Sequence, residues 1–514
     1  MKYKIFFPIF FFLPFLISAQ NNYDQQINQG FKKATAWFVD AIFYKIPITD
    51  TVGIPWVLII LLLGAAYFTI YFKGINFRGF ITSIKIVQGK YDGLEATKSL
   101  DVPETEGDDG EVTHFQALTT ALSATVGLGN IGGVAIALSI GGAGATFWMI
   151  LVGFLGMASK FVECTLGVKY REISANGVVY GGPMYYLEKG LGEKGFSKLG
   201  KALAAVFAIM CIGGSFGGGN MFQVNQAFQL FEYVTGAEKS FIYGNGWLFG
   251  LIMAVFVAIV IIGGIKKIAR VTDKIVPAMV IIYVLAVIVV LIINYKDIPN
   301  AVEAIFTGAF DPKGITGGAI GVMIQGFKRA AFSNEAGVGS ASIAHAAVKT
   351  KYAASEGMVA LLEPFIDTCV VCTMTAVVLI VTGQLVVGAE ISDAQGVVLT
   401  ANALQSGISW FPYLLAIAVI LFAFSSMISW SYYGYQAWSF LFGRGKKMEY
   451  LYKTIFCLFV IVGAAASLEA VTDFSDAMIF AMLVPNMIGL FMLLPEVKWE
   501  LKKYKGAMDS SGIT

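Results

Sequence analysis

Charge is scarce in this chain. Asp, Glu, Lys and Arg make up 14% of 514 residues, little more than half the share of a soluble domain. The net charge is +2 and no long basic run occurs, so nothing supports binding to nucleic acid. Histidine is rarer still: the chain has only His114 and His345, too few for a metal site built on imidazoles. Neither is expected to share a depth with a Ser or Glu partner, which disfavours an intramembrane enzyme. No GxxxxGK[ST] string occurs, so ATP is not the driver. The five cysteines (Cys164, Cys211, Cys369, Cys372, Cys457) all fall in apolar stretches. Cys369 and Cys372 therefore read as packing residues rather than as a redox or metal pair. In place of charge there is apolar bulk, with 57% hydrophobic residues and a mean hydropathy of +0.72. A soluble chain of this length would split into domains with polar surfaces. The composition excludes a soluble enzyme, a fibre and a disordered chain. It leaves an all-α polytopic membrane protein surrounded by a lipid bilayer.

Residues 1–20 read as a signal peptide, with Lys2 and Lys4 ahead of an apolar core of thirteen residues, 5–17. That core is too short to span ~30 Å of hydrocarbon. The competing reading is an uncleaved anchor helix. Residues 21–53 follow as an extracytoplasmic segment. Eleven apolar segments come next, near 54–72, 115–141, 143–168, 198–231, 246–264, 274–294, 316–345, 357–384, 409–440, 451–468 and 474–494, and residues 495–514 form a tail. With 21–53 outside, the inner loops hold 25 of the 36 basic residues and the outer loops six. Positive charge stays inside, so the N-terminus is expected outside and the C-terminus in the cytoplasm.

Two spans are punctuated by Gly and Asn: TVGLGNIGGVAIA at 125–137 in the second span, and AAFSNEAGVGSASIA at 330–344 in the seventh. Aligning Asn130 with Asn334, an offset of 204 residues, also aligns Gly133 with Gly337 and Val134 with Val338. Five crossings separate the two spans, so they run in opposite directions. Broken helices in inverted halves are a transporter plan, with the breaks meeting near the midplane. Unwound backbone cannot face lipid and must line a cavity. Its amides suit a carboxylate, and its carbonyls suit a cation or an ammonium. The competing reading is two flexible packing helices.

The strings at 121–163, 181–192 (GGPMYYLEKGLG), 263–279 (GGIKKIARVTDKIVPAM) and 326–347 (GFKRAAFSNEAGVGSASIAHAA) closely resemble the alanine or glycine:cation symporter family of bacteria and archaea, over about residues 50–500. The resemblance implies the fold of the sodium-coupled leucine transporter: eleven helices, one extra helix at 54–72 followed by five-helix repeats at 115–294 and 316–494. It implies symport of alanine or glycine, usually with Na+, across the bacterial inner membrane.

The resemblance also implies site residues. The amides of Leu128 and Gly129 would face the substrate carboxylate and the Thr125 carbonyl its ammonium. Asn130 would bridge substrate and helix break, or else cap the break. Gln223 would contact substrate, and Phe327 and Trp430 would wall a small pocket. Na+ would sit between Ser425, Ser426 and Phe422 of the ninth span and Ser123 and Val126 of the second. The plainer reading of the two serines is hydrogen bonding within their own helix. Charges inside spans are costly and are functional candidates by default. Of these, Lys160 and Glu163 are expected to snorkel toward the inner face, and Lys328, Arg329 and Glu335 to pair with one another. Glu363 and Asp367 complete the set, and Glu335 or Asp367 would carry protons if the coupling ion is H+. A channel of the same composition is the competing class, which solute-independent conductance would identify.

Overall fold

A computed structural model describes residues 23–47, 53–95, 110–175, 177–311, 318–385, 387 and 396–511. The expected signal peptide and part of the loop between the eighth and ninth spans lie outside the described residues, and the rest of that loop holds a helix, Val397–Gly407. Among the described residues, seven helices are long and apolar enough to cross a membrane, or eight if one bent pair counts as a single span. Two shorter apolar helices, Trp56–Tyr71 and Gly246–Ile261, accompany them.

The helices follow the apolar segments, with three differences at their ends. Gly264–Ile293 begins ten residues before the expected 274, so the basic stretch 265–274 is helical rather than loop. Leu468–Ser511 runs for 44 residues through Pro485 and Pro495, and most of the expected tail is its last turns. The segment expected to be extracytoplasmic contains a helix, Tyr23–Ile42. It docks on Leu468–Ser511 through Lys32 with Glu469 and through Phe31 edge-on to Phe474, with ring centroids 5.0 Å apart.

Ala145–Lys169 lies at the centre, packed by the first apolar helix, the seventh span and the eighth, Ala353–Val381. Around it stand the two broken helices. The second span starts on a capping box, in which the Thr113 hydroxyl accepts from the Gln116 amide at 3.2 Å and the Gln116 side chain accepts in return. Such a box satisfies amides that a helix start leaves unpaired. That span then bends by 49° between His114–Thr125 and Gly129–Gly141. The seventh span stops at Asn334 and resumes as Ala341–His345.

Candidate substrate and ion site

The breaks are held open by side chains that replace the missing helical bonds. Asn130 Oδ1 accepts from the Gly127 amide at 2.8 Å, and its Nδ2 donates to Asp367 Oδ1 at 2.6 Å and to the Asp367 carbonyl at 3.1 Å. Asn334 does the equivalent at the other break: its Oδ1 accepts from the Ala336 amide and its Nδ2 donates to Thr368 Oγ1, both at 2.9 Å. Asp367 joins the two spans, because its other oxygen accepts from Ser333 and Thr368 at 2.7 Å each. Asn130 thus acts as a cap, and the atoms of its amide are committed to protein. Freed carbonyls are paired as well: Ile131 accepts from Thr400 at 3.1 Å and Gly337 from Asn486 at 2.8 Å. Glu335 follows Asn334 directly and holds the left-handed φ of 55°. A non-glycine residue in that conformation is strained by about 1–3 kcal/mol, a cost typical of functional sites.

Between the breaks lies a small cavity lined by Ala124, Thr125, Gly129, Gly218, Gln223, Phe332, Glu335, Trp430 and Ile479. Of the expected substrate residues, Thr125, Gly129, Gln223 and Trp430 line it. Gln223 ties two irregular turns together: its Oε1 accepts from the Leu128 amide at a long 3.4 Å, and its Nε2 donates to the Gly218 carbonyl at 2.9 Å. Trp430 reaches the cavity over Gly219, where an added Cβ would lie 2.1 Å from the indole. Phe327 does not reach it. That ring is buried edge-on against Trp148, with centroids 5.7 Å apart, and Phe332, five residues on, stands in the lining instead.

The expected ion residues come together. Ser426 Oγ donates to the Ser123 carbonyl at 2.8 Å, and Ser123 Oγ donates to the Ser425 carbonyl at 2.9 Å. Ser425 Oγ bonds back to the Phe422 carbonyl at 3.0 Å, as the plainer reading has it. Gly127 admits this contact, since a Cβ there would lie 2.8 Å from Ser426 Oγ. Val126 is buried beside them in an extended turn. Hydroxyls and carbonyls of this kind are the oxygen set a hard cation takes.

The intramembrane charges depart from expectation. Lys160 and Glu163 do not snorkel. Both are fully buried, and Lys160 Nζ lies 3.1 Å from Glu363 and 3.9 Å from Glu163. Lys328 and Arg329 pair not with Glu335 but with Asp476 on the last helix, Lys328 at 2.8 Å. Glu335 instead accepts from Ser340. The two histidines, neither of which was expected to share a depth with a Glu partner, are joined through Glu356. Spacing gives no hint of this pairing, because 231 residues separate His114 from His345.

Residues 36–512 match the Sodium:alanine symporter family. A sodium/alanine symporter of Methanococcus maripaludis, AgcS, is 42% identical over 402 residues, covering 78% of this chain and 86% of that one. A probable sodium/glutamine symporter of Bacillus subtilis, GlnT, is 34% identical over 395 residues, covering 76% and 78%. Among solved structures, MhsT in complex with L-phenylalanine shares the fold, with a TM-score of 0.54 over 75% of this chain and 90% of MhsT at 16% identity. With its long apolar helices, this chain is a multi-pass membrane protein and belongs to the sodium:alanine symporter family.

Proposed function

We propose that the protein imports alanine, glycine or both together with Na+ by alternating access, through eleven spans arranged as one extra helix and two inverted five-helix repeats. The observation that carries this reading is the hydroxyl–carbonyl lock of Ser123, Ser425 and Ser426 at the first break, beside a small cavity. The matched roles of Asn130 and Asn334, each capping its break and each donating to the eighth helix, support the repeat.

The substrate carboxylate takes the amides of Leu128 and Gly129. The 3.4 Å bond from Leu128 to Gln223 is weak enough to yield to it, and Gln223 then turns its amide to the substrate. The Thr125 carbonyl takes the ammonium. Ser123, Val126, Phe422, Ser425 and Ser426 hold the ion, which supplies positive charge that fastens the second span to the ninth. Trp430 and Phe332 limit the side chain. The name of the Bacillus relative points to glutamine, which fits a size limit set by a few wall residues rather than by the fold.

The test is uptake of labelled alanine into proteoliposomes under an imposed Na+ gradient, an imposed H+ gradient, or none. Uptake driven by Na+ supports the reading, and solute-independent conductance rejects it. In Ser426→Ala an oxygen ligand is lost at a buried site, which costs about 1–3 kcal/mol. The Na+ half-saturation should rise roughly ten- to hundredfold, and alanine affinity should recover at high Na+. An unaltered Na+ dependence rejects the ion assignment. Glu335 supports a second reading. It lines the cavity, and if uptake follows a proton gradient it is the carboxylate to mutate first.

A further inference from the structure

Both histidines of the chain lie in one buried row of carboxylates. His114 Nε2 meets Glu95 at 2.8 Å and its Nδ1 meets Glu356; His345 Nδ1 meets the other oxygen of Glu356, and its Nε2 meets Glu363. The row continues to Lys160 Nζ, 3.1 Å from Glu363. Glu95 is further held by Tyr504 at 2.6 Å, Thr350 at 2.8 Å and Ser355 at 2.9 Å.

Each nitrogen-to-oxygen contact in this row requires one hydrogen. The four ring nitrogens face four carboxylate contacts. Two neutral imidazoles carry one N–H each, and ionised carboxylates carry none. The row therefore holds two protons more than neutral histidines and free carboxylates would, whichever atoms bear them. The other charged groups facing it agree. Lys160 stands against Glu363 and Glu163, and Glu335 and the Cys164 thiol also act on this group. Without the extra protons, the buried acids Glu95, Glu163, Glu356 and Glu363 would face Lys160 as their only cation in the row, and an unpaired buried charge is costly. Cys164, His345 and Glu363 bring ligand atoms within 4.8 Å of one another, but Lys160 already places a positive charge there.

The row also bridges parts that must separate. His114 begins the second span and His345 ends the seventh. Behind them the backbone segments before 114 and after 345 are stitched together. The Lys349 amide donates to the Val112 carbonyl at 2.8 Å, and Arg171 donates to the carbonyls of Ala346 at 2.9 Å and Thr350 at 3.0 Å. This is the end of the protein where the basic loops gather. We propose that Glu95, His114, Glu356, His345 and Glu363 form a proton-binding latch, which takes up two protons when the cytoplasmic ends of the second and seventh spans close and releases them to the cytoplasm when those ends part.

The proposal rests on the alternating-access reading but on neither alanine nor Na+. In the open form each histidine returns to an ordinary pKa of about 6.5. The protons therefore favour the closed form fully below that pH, and the favour is lost as pH rises. The equilibrium between the forms should move by up to tenfold per pH unit for each proton, up to a hundredfold for two. The experiment places spin labels at the exposed positions Lys198→Cys and Lys349→Cys of the full chain in lipid nanodiscs. It reads their distance distribution from pH 6 to 9 without amino acid. A longer-distance population that grows with pH is expected, with a shallower response in His345→Gln and none in His114→Gln/His345→Gln. A wild-type distribution unchanged across that range overturns the latch, as does a response that persists in the double variant. If the double variant does not fold, a His345→Gln slope equal to that of the wild type overturns it. Failure of alanine uptake in proteoliposomes would instead reject the substrate reading and leave this result standing.

Discussion

Single side chains decide what the cavity admits. Phe327 and Phe332 illustrate what a sequence can and cannot place. Both sit in an apolar helix of 17 residues, and at 100° per residue five positions turn them about 140° apart. A soluble helix shows its buried face by where the polar residues fall, but a helix enclosed by protein and lipid has no such contrast. Periodicity therefore does not distinguish Phe327 from Phe332 as the ring that faces the cavity. Trp430 was easier to place, since it lies four residues beyond Ser426, one turn along the same helix. Trp430→Ala and Phe332→Ala are expected to relax selection for alanine against glutamine, measured by competition for labelled alanine. A methylene in a pocket is worth about 1–3 kcal/mol, so the change should stay within about 10- to 200-fold. Phe327→Ala should leave that ratio alone and lower thermal stability, because it opens a hole beside Trp148 costing about 3–5 kcal/mol. A changed ratio in Phe327→Ala with Phe332→Ala unaffected would reverse the assignment.

The helices show why the breaks fall where they do. The Gly and Asn punctuation that marked both spans in the sequence does two separate tasks. Gly127 lets Ser426 approach, while Asn130 supplies the bonds the backbone has lost. Asn334 repeats the second task with the same helix as its partner. What the sequence did not show was that partner. Asp367 reads in the sequence as an ionisable residue inside a span and a candidate proton carrier, and its place between Asn130 and Ser333 depends on contacts 237 and 34 residues away in the chain. Its role can be tested by reversing the bond. Asn130→Asp keeps an acceptor for the Gly127 amide but sets a carboxylate against Asp367, which should abolish uptake and lower the melting temperature sharply. Adding Asp367→Asn restores a donor toward position 130 and keeps an acceptor for Ser333 and Thr368. The double variant should recover stability in part, the remaining loss coming from the Asp367 carbonyl, which then faces an oxygen. Equal instability in the single and double variants would mean that this pair is not what holds the break.

Orientation in the membrane belongs to the protein as one body, and here the sequence speaks through loops rather than spans. The stretches expected inside collect 25 of the 36 basic residues, a bias that predicts direction because Lys and Arg resist translocation. The helix that begins at Gly264 carries Lys266, Lys267, Arg270 and Lys274 on its first turns, so the same charges serve the rule whether they lie in a loop or a helix. The proposed latch occupies this basic end. The Lys328, Arg329 and Asp476 cluster belongs to the start of the seventh span and the last helix, and the expected alternation of the spans would put it at the opposite, outer end. Lys90 and Lys239 are exposed in loops on predicted opposite sides. Replaced singly by Cys in intact cells, position 239 should react with a membrane-impermeant maleimide, and position 90 should react only after the membrane is opened. The reverse pattern would turn the protein over. The latch would then face the outside, its protons would exchange with the external medium, and the positive-inside bias would have no physical account here.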